Sequence, residues 1–131
     1  VLFNDNLKSH FRYHIKNKGA LLAKGFVLGI QFETVFNDDL YFKMGQQQNE
    51  LARYLSYELK ALGVPLLSES PTNQIFPIFS KAQVDTLHKI YDFEIWEEVG
   101  EDQIAIRFVT SWFTSKEVCM ELIEDIKAIV R

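Results

Sequence analysis

The sequence predicts an α+β fold, a small sheet covered by helices, and three observations lead there. Gln103–Trp112 is rich in β-branched and aromatic residues and places Ile104, Ile106, Phe108 and Trp112 at strand spacing on one face. Near the end of the chain, Val118, Leu122, Ile126 and Ile129 recur as a single helical stripe, with Cys119, Ile123 and Val130 beside it. Earlier, Met44, Gln48, Leu51, Leu55, Leu59 and Leu62 repeat the same helical period.

The elements follow in order. Residues 1–18 hold Lys8, Arg12 and Lys16, with His10 and His14 four apart, so a helix there would set both histidines on one face. Two histidines bind a metal only with a third ligand, and no cysteine or HExxH pattern lies near, so no metal site is expected. A solvated basic face is the simpler reading. Residues 19–36 are mostly apolar, with Leu22, Phe26 and Ile30 every fourth position, and predict a buried helix. Gly19, Gly25 and Gly29 weaken it and suit close approach of a neighbour. Lys24 is a lone charge in that run: either its stem lies along a boundary or its amine meets a phosphate or carboxylate.

Asn37, Asp38 and Asp39 predict a turn, and the long helix after it should stop at Gly63 before Pro65. Val64–Ser68 reads as an edge strand because of its proline. Ser70–Asn73 is a turn and Gln74–Phe79 a strand that Pro77 leaves free or bulged on one side. Ser80 should cap a short helix through Lys89 that covers Val84, Leu87 and His88. Strands over Phe93–Glu97 and Gln103–Val109 are joined at Val99–Asp102 as a hairpin. Thr114 and Glu117 have capping-box spacing ahead of the last helix.

Bulk properties narrow the function. The chain has 131 residues, enough for one core, and 47% apolar residues exclude disorder. Eleven phenylalanines, five tyrosines and two tryptophans exceed what such a core absorbs, so some should face another chain or domain. A net charge of −4 disfavours a nucleic-acid partner or an anionic membrane surface. No run has the length of a membrane span, and no secretory signal pattern is visible. Cys119 alone forms no internal disulfide, suggests a reducing compartment, and reads as a small buried hydrophobe. The start at Val1 suggests a trimmed chain or the later part of a longer polypeptide.

Arg107 is the candidate for chemistry. It sits mid-strand, off the face of Ile106 and Phe108, with no other charge within three residues on either side. Its charge cannot be neutralised and its five donors need acceptors. One reading is a structural ion pair or a solvent contact. The other is a forked donor for a ligand carboxylate or phosphate. No GxGxxG, GxxxxGK[ST] or GxSxG pattern is present, and the adjacent acids at Asp38–Asp39 and Glu97–Glu98 suggest surface, not acid–base catalysis.

Three stretches in combination, Ser70–Phe79 (SPTNQIFPIF), Ile106–Trp112 (IRFVTSW) and Ala20–Gly29 (ALLAKGFVLG), resemble the C-terminal part of pyridoxal-phosphate-dependent threonine aldolases, of the β-eliminating lyase group and the aspartate aminotransferase-like superfamily. The resemblance extends over essentially the whole chain. It implies the C-terminal small domain of a fold-type I enzyme preceded by helices from the end of its large domain: 1–36 as that end, 37–62 as a connecting helix, 63–131 as the small domain. Arg107 matches the arginine that holds the substrate α-carboxylate, and Lys24 falls near a basic group directed at the cofactor phosphate. The lysine that binds the cofactor covalently is expected upstream of Val1, so this chain holds no catalytic residue and alone should neither retain the cofactor nor cleave threonine to glycine and acetaldehyde. The resemblance further implies the N-terminal portion of the subunit as partner, a homodimer or homotetramer, a small amino-acid substrate and a cytoplasmic location. The alternative is a non-catalytic, self-associating fragment or interaction domain.

Overall fold

The computed structural model describes residues 4–130. It forms two compact units, Val1–Tyr41 and Phe42–Arg131.

The first unit is helical. A short 3-10 turn at Asp5–Leu7 is capped by the Asn4 side chain, which accepts the Asn6 N–H. Helix α1 (Phe11–Asn17) follows. His10 precedes it in left-handed backbone, so His10 and His14 do not share a helix face, contrary to the expectation from their spacing. Helix α2 spans Gly25–Phe36, shorter than the expected 19–36. It is not buried: none of its residues is buried within this chain, and Phe26 is 66% exposed. Gly29 meets no neighbour, so close approach does not explain it within this chain. Its apolar residues surround the axis rather than forming one stripe, and a helix of that composition needs covering on every side. Asp38 and Asp39 turn the chain in left-handed backbone, as the turn reading required.

Helix α3 (Leu40–Ala61) carries the expected stripe, of which Leu51, Leu55 and Leu59 are buried together with Ala52. It ends at Gly63, whose φ of 80° lets Val64 N–H reach back to the Leu59 carbonyl. The second unit then builds an antiparallel sheet on one central strand. Strands β1 (Gln74–Ile75) and β2 (Ile78–Ser80) lie end to end, β3 spans Glu94–Val99 and β4 spans Gln103–Val109. All three earlier strands pair with β4. Pro77 interrupts the expected strand 74–79 because it has no N–H, although its carbonyl still accepts the Ile106 N–H at 3.0 Å. Val64–Ser68 forms no strand but a single bridge, Leu66 to Pro77. The β3–β4 connection at Gly100 is the expected hairpin, with φ of 71° at the glycine.

Helix α4 (Lys81–Leu87) has a full capping box between Ser80 and Gln83, and buries Val84 and Leu87 but leaves His88 exposed, stacked on Phe93 at 4.1 Å. Helix α5 (Lys116–Val130) buries Cys119, Leu122, Ile123 and Ile126. Val118 is exposed, unlike the rest of its expected stripe. The capping-box expectation also fails. Thr114 Oγ1 accepts the Ser111 N–H instead, and Ser115 Oγ accepts the Val118 N–H. The core joins α3, α4 and α5 to Ile75, Phe79, Ile106 and Phe108 of the sheet. Ile104, Ile106 and Phe108 therefore behave as expected, whereas Trp112 lies beyond the strand end and is 60% exposed.

One polar tie locks this core. Thr110, 2% exposed just after β4, donates its hydroxyl to the Gln48 carbonyl of α3 at 2.8 Å. Its backbone N–H and carbonyl are both engaged by Asn73, at 3.0 and 2.7 Å. Thr110→Val keeps the shape and deletes the hydroxyl donor. It should lower unfolding stability by about 0.5–1.5 kcal/mol, read as a shifted urea midpoint at unchanged slope.

Candidate functional site

Arg107 stands on β4, the strand held on both edges. The β3–β4 pairing is regular from Val99↔Gln103 to Glu97↔Ala105, then shifts by one so that Ile95 faces Ile106 and Glu94 faces Arg107. Trp96 is the extra residue of this bulge. Two side chains of β3 thereby meet the guanidinium. Glu94 Oε2 is ion-paired with Nη2, and the Trp96 ring lies under Cζ at 5.4 Å. Phe76 packs on Trp96 with ring centres 4.9 Å apart.

The structural ion pair that the sequence left open is present, but it does not satisfy the arginine. Its Nε is buried and has no hydrogen-bond partner. An unmatched buried donor costs about 1–3 kcal/mol. The side chain is 29% exposed and its Glu94 partner 58%, so the pair itself contributes only about 0–1 kcal/mol. The site therefore combines a weakly held guanidinium with spare donor capacity.

A cavity of about 410 Å³ adjoins it, in the size range of small-molecule pockets. Leu55, Phe93, Phe108 and Leu122 supply apolar walls, and Glu94, Arg107 and Thr110 supply polar ones. Cys119 also lines it, and burial pushes its thiol pKa up, which suits a packing role rather than a nucleophile. Ser111 bonds Thr114 in a local turn instead of reaching Arg107. Lys24 belongs to the first unit, where it is exposed and directly precedes α2. Among the described residues no group of three or more His, Cys, Asp or Glu gathers as a metal site, and no helix is long and apolar enough to cross a membrane.

Glu94, Trp96 and Asn73 were not singled out by sequence reasoning. The Asn73 contacts depend on long-range packing. Glu94 could have been found only by anticipating the bulge.

Taken together, the second unit is an α+β domain whose central strand carries a guanidinium with an unbonded buried donor beside a cavity. Comparison with known proteins gives that class a more definite place. No family model matches the chain. It is 30% identical over 132 residues to low specificity L-threonine aldolase of Pseudomonas aeruginosa, covering 99% of this chain and 37% of that protein. The low specificity L-threonine aldolase of a Pseudomonas species is 25% identical over 131 residues with the same coverage. The solved structure of Leishmania major threonine aldolase matches with a TM-score of 0.89 and 37% identity, over 99% of this chain and 38% of that one. The chain is thus homologous to a portion of threonine aldolases, as its motifs implied, and spans 37–38% of the length of these relatives.

Tyr91, also on the cavity wall, donates its hydroxyl to Asp125 Oδ2 at 2.6 Å. Burial first, then that bond to a carboxylate, push its pKa up to about 12 from 10.0. The folded state thus favours the protonated phenol. Its contribution is fully present below the unfolded pKa and is lost as pH rises from about 10 towards 12. Tyr91→Phe should flatten the stability–pH curve in that window, measured by urea unfolding at stepped alkaline pH.

Proposed function

We propose that this chain is the C-terminal part of a pyridoxal-phosphate-dependent aldolase acting on β-hydroxy-α-amino acids, and that Arg107 clamps the substrate α-carboxylate. The observation that carries the reading is the buried, unbonded Nε of Arg107 on a domain that matches a threonine aldolase at a TM-score of 0.89. A carboxylate oxygen is the acceptor this donor lacks, and a planar guanidinium holds two such oxygens at once. The reaction would cleave threonine to glycine and acetaldehyde. Holding the carboxylate fixes how the scissile bond is oriented, which is this chain's part in lowering the barrier.

The cofactor itself does not fit the cavity beside Arg107. Its aldehyde needs a lysine amine and its phosphate needs clustered donors, whereas no lysine is among the residues lining that cavity. Arg107, the cation among the residues lining that cavity, suits a carboxylate. In this reading the cofactor is held by the remainder of a longer subunit, with Lys24 as a contributor towards its phosphate, and the chain by itself retains no cofactor and is inactive. Residues 1–36 then close a larger domain, 37–62 connect, and 63–131 form the small domain. A homodimer or homotetramer in the cytoplasm completes the reading.

The exposed apolar residues of α2 favour a second reading, a self-associating fragment without catalysis. The two differ in cofactor dependence. Coexpression with the upstream portion should yield a coloured, active enzyme in the first case and neither in the second.

In the active enzyme, Arg107→Ala removes a charge-assisted contact worth about 1.5–3 kcal/mol, so kcat/KM for L-threonine should fall about ten- to a hundredfold. Arg107→Lys should recover little of that, because a point charge cannot replace the fork. Steady-state kinetics on both variants check this, and an effect of Arg107→Ala smaller than about threefold removes the carboxylate role.

A further inference from the structure

We propose that Glu94 is a stand-in carboxylate: it occupies Arg107 when no ligand is bound, and the ligand's carboxylate replaces it. This rests on the carboxylate role proposed for Arg107 and adds a residue that regulates access to it.

Three features of the site support the exchange. First, Glu94 binds through one oxygen to Nη2 while Nε stays buried and unbonded. A carboxylate able to span Nε and Nη2 satisfies a donor that Glu94 leaves unmet, so the ligand-bound arrangement is the better paired one. Second, Glu94 is easily displaced. Its side chain is 58% exposed on β3, which pairs only with β4, so it returns to water at little cost when it leaves. Third, its placement is specified by the backbone. The bulge at Trp96 shifts the register by one, and that shift alone brings Glu94 rather than Ile95 opposite Arg107. The Trp96 ring under Cζ keeps the guanidinium in place while its partners change.

Besides Arg107, the charged residues lining the cavity are Asp92, just before β3, and Glu94 on it, and no lysine lines it. Glu94 therefore acts as an internal competitor. Its removal should strengthen binding of any monocarboxylate at Arg107, where a purely structural partner would weaken it.

The test uses the full natural polypeptide carrying this sequence, loaded with its cofactor, and glycine as the probe. Calorimetry gives the glycine Kd for the parent, Glu94→Gln and Arg107→Ala, and kinetics give KM and kcat for L-threonine. Glu94→Gln is nearly isosteric at an exposed position, so folding should be preserved, and a circular dichroism spectrum matching the parent verifies it. The expected result is a Kd and a KM lowered about two- to fivefold, the range of an exposed ion pair, with kcat within about twofold. An unchanged or weaker glycine affinity in Glu94→Gln overturns the proposal. The two readings fail separately. If Arg107→Ala leaves glycine binding intact, the carboxylate role itself is wrong. If Arg107→Ala weakens binding and Glu94→Gln does not tighten it, only the stand-in is wrong.

Discussion

Strand β4 pairs with every other strand of its sheet, so its backbone donors and acceptors are committed on both edges. That commitment governs the second unit. A slip of one residue would turn Ile104, Ile106 and Phe108 out of the core and Arg107 into it, exchanging three apolar contacts for an unpaired buried charge. Thr110 closes the far end of the strand by engaging α3 and the loop at Asn73 together. The guanidinium is therefore carried by a strand that cannot slide, which is what a directional ligand contact demands.

Rigidity of the strand does not extend to the charge at its surface. The partner of Arg107 comes from β3, whose pairing is confined to one edge and is interrupted by the bulge. The site thus joins a fixed cation to a yielding anion. Such a combination keeps the arginine neutralised without sealing it, because a half-exposed pair costs little to open. The apolar walls formed by Phe93 and Phe108 lower the local polarity, which makes a well-placed carboxylate worth more there than in bulk water.

Most of this unit was legible in the sequence because its signals are local. The stripe of α3, the stop at Gly63, the Ser80 cap, the hairpin at Gly100 and the isolation of Arg107 all rest on residues a few positions apart. The misses arose where distance or competition decides. Thr114 was free to cap α5, but the Ser111 N–H takes its hydroxyl, so Ser115 meets the Val118 N–H instead. Counting back evenly from the hairpin turn puts Ile95 opposite Arg107, and the partner Glu94 emerges only once the extra residue at Trp96 is admitted. No local pattern announces a bulge in EIWEEV, so the acid next to the arginine stayed hidden.

The first unit shows a different kind of miss, and its cause is instructive. The recurrence of Leu22, Phe26 and Ile30 at every fourth position of the 19–36 run predicts a buried helix, yet α2 has no buried residue within this chain. Periodicity reports the surroundings a helix is built for, not those one stretch of chain supplies. Sequence and structure agree if the covering surface belongs to something beyond these residues, and the proposed reading provides it, since the relatives are more than twice this length. The contrast with the second unit is physical. There, three helices and strands β1, β2 and β4 bury apolar faces against one another, so the core beneath Arg107 is built from within the unit, whereas α2 leaves its apolar residues uncovered within this chain.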